Sequence, residues 1–227
     1  MDWMTYFQTQ SHQASRQTLK QYYRSGCTFA NAPLSAVEMV ALDIETTGLN
    51  SQEHGITSIG LVPFSLQRIQ LNEAKHWLVK PRKPLAEDSI TIHQITHSDL
   101  ADAPDFSEVF DELLQALQGK LVVAHFHKIE RQFLRHTVRN RFDEDWLFPM
   151  LDTMQIEANL HRQPRWKPSQ WFRRQASIRL ADARQRYQLP AYRNHNAMLD
   201  ALATAELLQA QVAYHLDSND SVGQHWC

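Results

Sequence analysis

Three strand-length apolar segments precede the first strongly amphipathic helix of this 227-residue chain, and after it helix and strand alternate. The first three are Glu38–Glu45, Ile56–Phe64 and Ile69–Val79, which read as a meander. Pro104–Gln118 then repeats Phe106, Val109, Phe110, Leu113, Leu114 and Leu117 at spacings of three and four, and Gly119 closes that helix. Leu121–His125 reads as a fourth strand and Leu147–Thr153 as a fifth, with a helix over Lys128–Val138 between them. Helices follow over Met154–Leu160, Ser177–Gln188 and Asn196–His215. A meander followed by alternation predicts an α/β fold, a mixed five-stranded sheet flanked by helices.

Composition sets the limits. Hydrophobic residues are 43% of the chain, enough for one domain with a sizeable core, and 6 Gly with 9 Pro exclude collagen-like or low-complexity classes. No apolar run approaches the roughly 20 residues of a membrane span, and Asp2, Gln8, Gln10, Ser11 and His12 interrupt any leader pattern. Two cysteines, Cys27 and Cys227, cannot build a disulfide framework. The expectation is a cytoplasmic protein with no membrane partner. Residues 1–36 read as a helical extension packed on the main domain or on a partner, 37–215 as that main domain, and 216–227 as a flexible tail.

Two places carry chemistry. Asp43-Ile-Glu45 ends a buried strand, and alternation puts both carboxylates on one face. Acids that close repel one another unless hard divalent cations sit between them. Asp200 falls among Met198, Leu199, Ala201 and Leu202 in a core-forming helix, where a buried acid needs a partner, and His195 stands at that helix's start, placed to take a proton from water.

The formal net charge is −2, yet His161–Arg193 holds nine Lys or Arg against the single acid Asp182. Such a stripe reads either as a solvated helical face or as a phosphate contact. Arg165, Trp166, Arg173 and Arg174 alternate cation with aromatic, as a single strand of nucleic acid requires, while Trp171 and Phe172 fit a core equally well.

Asp43-Ile-Glu-Thr-Thr-Gly-Leu49, Ile92-His-Gln-Ile-Thr96, Leu121-Val-Val-Ala-His125 and His195-x-Ala-x-x-Asp200 occur in that order, and with them the chain resembles the DnaQ-like family, DEDDh class, of 3'-to-5' exonucleases. That class includes the proofreading subunit of bacterial replicative polymerase. The resemblance covers residues 38–212 and implies a ribonuclease H-like sheet. It implies two Mg2+ or Mn2+ ions held by Asp43, Glu45 and Asp200, with Glu130 acting on the second, and His195 as general base. It further implies that Thr46, Thr47, Leu49 and His93 meet the terminal nucleotide. Position 196, where the tyrosine class carries its Tyr, is Asn, which selects the histidine class.

One position departs from the pattern. In His125-Phe-His-Lys-Ile-Glu-Arg-Gln-Phe-Leu134 the family's Asp is Glu130, one methylene longer. Glu130 is then either a working fourth acid or an exposed helical acid paired with a nearby Arg. Two functions stand: a metal-dependent exonuclease releasing nucleoside 5'-monophosphates from 3' ends of single-stranded DNA or RNA, with a polymerase or another protein as possible partner, or a catalytically impaired nucleic-acid- or polymerase-binding module that keeps the fold.

Overall fold

The computed structural model describes residues 1–82, 95–96, 98–162, 175–193 and 195–227, with the backbone alone at 28 and 29. Five strands, β1 (Met39–Thr46), β2 (Ile56–Phe64), β3 (Lys75–Leu78), β4 (Leu121–Ala124) and β5 (Met150–Asp152), form one sheet in the order β3-β2-β1-β4-β5. The meander pairs antiparallel, whereas β4 and β5 join parallel to β1 through helical crossovers. This is the mixed five-stranded α/β architecture expected from the pattern.

Alternation along β1 separates the two faces. Val40, Leu42 and Ile44 enter a core with α1 (Trp3–Gln13), α2 (Gln17–Arg24), α3 (Phe106–Leu117) and α4 (Lys128–Phe142). Met39 and Ala41 face the other way, toward Ile156 of α5 (Thr153–His161) and Ala201, Ala205, Leu208 and Val212 of α7 (Ala197–His215). Asp43 and Glu45 continue this second row, so β1 delivers its acids to the α7 side. Between α5 and α7 in sequence lies the short α6 (Leu180–Arg186).

Apolar residues from Trp3 to Cys27 belong to the first core, whereas Leu34 enters the second. Phe7 meets Tyr23 edge-on with ring centroids 5.0 Å apart, and Tyr22 meets Trp146 at 5.9 Å. The backbone N–H groups of Ser15 and Arg16 both donate to Glu144 Oε1, at 2.7 and 2.8 Å.

Several boundaries differ from the sequence reading, α4 running on to Phe142 and β5 spanning only Met150–Asp152. The third strand begins at Lys75, because Leu71–Glu73 forms a 3-10 turn around Asn72, and α6 begins at Leu180. The larger correction concerns 216–227, expected as a flexible tail. Val222 is wholly buried in the α7-side core, Ser221 pairs with Pro33, and Trp226 pairs antiparallel with Leu151. Cys227 N–H donates to Met150 O at 2.8 Å. Two apolar side chains in a polar stretch suffice to anchor it, since the polar residues between them close local turns, as Asp217 does by accepting from Asn219 N–H. No described helix is long and apolar enough to cross a membrane.

Candidate active site

The α7 N-terminus explains how Asp200 reaches the β1 acids. Asn196 caps the helix, its side chain accepting from Leu199 N–H at 3.1 Å. His195, just before it, adopts the left-handed region with φ 65, uncommon for a residue with a Cβ. That turn aims two backbone donors at Asp200 Oδ2: His195 N–H at 2.7 Å and Asn196 N–H at 3.2 Å. One carboxylate oxygen is therefore fixed by the backbone, which orients the other.

The approach depends on Gly60. Asp43 pairs with Gly60 across β1 and β2, and α7 begins directly over that glycine. A Cβ at position 60 would sit 2.3 Å from the Ala197 carbonyl carbon and oxygen and 2.5 Å from Met198 N. The helix start rests on the strand where a side chain would be. An isolated glycine within a strand is the sequence signal for such a close approach.

Ligand atoms of Asp43, Glu45 and Asp200 all lie within 4.8 Å of one another. Burial, then the charges of Glu130, Asp200 and Glu45, push the Asp43 carboxyl well above the usual range. Burial and Asp200 raise Glu45 to about 7. Asp200 is raised by burial, against its two backbone hydrogen bonds. Three carboxylates in this state resist simultaneous ionisation unless a cation joins them.

Glu130 lies in the first turn of α4, 3% exposed, and its Oε2 has no hydrogen-bond partner. It is not the exposed, arginine-paired acid of the alternative reading. It lies outside the 4.8 Å group, but its charge acts on Asp43, and burial pushes its own carboxyl well up.

A cleft of about 480 Å³ opens over Asp43 and Asp200, lined also by His195, His125, Met154 and Arg179 among others. The two histidines differ in surroundings. His125 lies between Thr153 Oγ1 at 2.8 Å and the Ile178 carbonyl at 3.0 Å, tying the end of β4 to the approach to α6, and burial lowers its pKa. His195 is exposed at the rim.

Asp152, at the end of β5, works on structure. It accepts from Phe126 N–H (3.0 Å), His127 N–H (3.2 Å), Met154 N–H (2.9 Å), Gln155 N–H (3.3 Å) and the His127 ring at 2.7 Å. It caps α5 and fixes the β4–α4 turn, where Phe126 has φ 81, and so sets where α4 presents Glu130.

The residues expected to meet a nucleotide divide. Leu49 is 81% exposed beside the acids in sequence, whereas Thr47 is 1% exposed. Thr47 Oγ1 accepts from Gly55 N–H at 3.1 Å and lies 3.2 Å from His54 Nδ1, so its hydroxyl closes the 47–55 loop. Thr46 donates its hydroxyl to Gly48 O at 2.7 Å. His93, Arg165, Trp166, Arg173 and Arg174 lie outside the described residues, as do Trp171 and Phe172. Within the basic stripe, Arg184 is buried and Arg186, though exposed, is engaged in an ion pair. Arg184 pairs with Glu206 at 2.7 Å and donates to Ala203 O and Pro190 O, and Arg186 pairs with the wholly buried Glu157.

A profile of the RNase T exonuclease family matches residues 40–208. The chain is 30% identical over 168 residues to the PolC-type DNA polymerase III of Thermotoga petrophila, a match covering 74% of this chain and 11% of that protein. It is 29% identical over 130 residues to the DNA polymerase III subunit epsilon of Pasteurella multocida, covering 54% of this chain and 51% of that one. The chain thus spans about a tenth of the first relative's length and half of the second's. Its fold superposes on the nuclease domain of 3'hExo, a DEDDh family member bound to rAMP, with a TM-score of 0.66 at 15% identity over 81% of this chain and 96% of that one.

Proposed function

Since the chain belongs to the RNase T exonuclease family, whose profile spans its sheet and α7, we propose that it is a divalent-metal-dependent 3'–5' exonuclease of the histidine class. The observation that carries this reading is the convergence of Asp43, Glu45 and Asp200 within 4.8 Å of one another, with Asp43, Asp200 and His195 lining one cleft. The site fits a divalent cation, because its acids are all oxygen donors, their carboxyls are raised by burial and, for Asp43 and Glu45, also by acidic neighbours, and Glu130 Oε2 is buried without a partner. Asp43, Glu45 and Asp200 would hold Mg2+ or Mn2+, with Glu130 serving a second ion. When bound, such ions acidify the attacking water and neutralise charge at phosphorus and at the leaving 3'-oxygen.

The chain's own groups supply the rest. Asp200, fixed by two backbone N–H groups, keeps one oxygen for the site. His195, which lines the cleft, accepts the proton of the attacking water at its imidazole. Leu49 stands exposed to pack against the terminal nucleotide. The substrate is a single-stranded DNA or RNA 3' end and the product a nucleoside 5'-monophosphate. Because two relatives are named as polymerase III proteins, a polymerase is a candidate partner. The impaired binding-module reading is less well supported, since a buried fourth acid acting on Asp43 is what a working site needs.

The test is digestion of 5'-labelled single-stranded DNA and RNA in Mg2+, Mn2+ or EDTA, with products resolved by length. A ladder shortening from the 3' end in metal alone is expected, lost in Asp43→Asn. Equal turnover in EDTA would overturn the metal dependence, and no shortening with either polymer would overturn the activity.

A further inference from the structure

A second cleft, about 300 Å³, lies between the 47–55 loop and the C-terminal half of α4. Lys80, Arg82 and Arg141 line it together with His54 and His136, and among the described residues no acid does. Asp105 stands behind two of these cations, 3.0 Å from Arg141 Nε and 3.4 Å from Arg82 Nε. Burial would raise the Asp105 carboxyl, but its bonds from Ser107 and Arg141 hold it at about 2, so it stays ionised. Among the described residues, three permanent cations against one acid leave the cleft net positive. Lys80 Nζ bonds, among the described residues, to Ala101 O alone, at 2.9 Å, and the Arg82 side chain is 62% exposed.

Its place relative to the acids follows from α4. At 100° per residue, Thr137 and Arg141 project within about 20° of Glu130 on one helix face. At 1.5 Å per residue they lie roughly 10 and 17 Å along the axis from it. The loop on the other wall is continuous with β1: Thr47 lies beside the His54 ring, two residues after Glu45. One helix and one loop therefore run from the acid cluster to the cationic cleft. Phosphates in a stacked strand recur about every 3.4 Å, so the span matches roughly three to five nucleotides.

We propose that this cleft holds backbone phosphates of the substrate strand roughly three to five nucleotides on the 5' side of the scissile bond, an assignment that rests on the exonuclease reading. It makes affinity depend on strand length rather than on base sequence. In the stripe first considered for this role, Arg184 is buried and Arg186 is paired with the buried Glu157, whereas Lys80 and Arg82 are exposed beside the cleft.

The experiment uses the full chain and the double variant Lys80→Gln/Arg82→Gln, with binding of a labelled decamer and a trinucleotide read in EDTA by anisotropy and competition. The decamer should lose at least fivefold in affinity and its log–log salt slope should flatten by about 1.4, or about 0.7 for each phosphate contact removed. The trinucleotide should change less than twofold. Lys80→Gln alone, which leaves the Arg82–Asp105 contact in place, should flatten the slope by about 0.7. Equal loss for both lengths, or none for the decamer, overturns the proposal. So does a nucleoside 5'-monophosphate whose own binding is lost in the double variant, which would make the cleft a free-nucleotide site. If the length dependence holds but no strand is shortened in metal, the exonuclease reading fails and strand binding by the cleft stands.

Discussion

Gly60→Ala tests whether the site depends on how closely a helix can lie on a strand. The added methyl would meet Ala197 backbone atoms at 2.3 Å, and neither partner is a flexible side-chain end. To restore ordinary contact the first turn of α7 must withdraw by about 1 Å. Asp200 lies three residues into that turn and would withdraw with it, away from Asp43 and Glu45. A displacement of this size in a positioned group costs about 10²-fold in rate, or about 2.7 kcal/mol of transition-state stabilisation. Overpacking of this kind lowers stability by about 1–3 kcal/mol, which for a chain of this length is a fall of roughly 2–12 °C in Tm. The assay is the rate of 3'-end shortening in saturating Mn2+, well below Tm, with circular dichroism as the check on folding. A folded variant within threefold of the wild-type rate would show that the helix start can move without disturbing the acids, and would refute the argument.

His195→Ala should lower the rate by about 10²–10⁴-fold at neutral pH while Mn2+ still binds, as read by calorimetry; a wild-type rate across pH 5 to 9 removes histidine from the mechanism. Glu130→Gln should lose most activity and Glu130→Asp should keep or improve it, and equal rates for Glu130→Gln and wild type would place residue 130 outside the chemistry. In EDTA, stability should fall as pH rises. Glu45, raised from 4.5 to about 7 in the fold, favours the folded state when protonated; that contribution is complete below about pH 4.5 and lost as pH passes about 7, on the order of 3 kcal/mol. Mg2+ should shrink the fall, and a Tm in EDTA that is flat or rising between pH 4.5 and 8 contradicts the buried-acid cluster.

The parts of this site that local pattern specifies were legible in the sequence. Alternation alone put Asp43 and Glu45 on one face, and an acid among apolar helix positions marked Asp200. Pairings between distant segments were not legible. Arg184 and Arg186 looked like a free cationic stripe because their partners, Glu206 and Glu157, come from other helices. Thr47 looked like a ligand contact, and its bonds with Gly55 and His54 close a loop that the sequence did not show. Val222 and Trp226, two apolar residues in a polar stretch, were too sparse for a periodicity to register, yet they decide that the segment packs. Gly60 did carry a signal, the lone glycine of a strand, but what it makes room for is known only once α7 is placed.

Asp152 joins the end of β5, the β4–α4 turn and the start of α5 through one carboxylate, and this has a consequence for how the molecule opens. Amides held by a single acceptor lose protection together when that acceptor moves away, so hydrogen exchange at Phe126, His127 and Met154 should report one cooperative unit instead of three local fluctuations. Glu130 begins its turn of helix four residues after Phe126. The opening that frees those amides therefore also releases the fourth acid, and the slowest-exchanging amides of this turn mark how long the full set of carboxylates stays assembled.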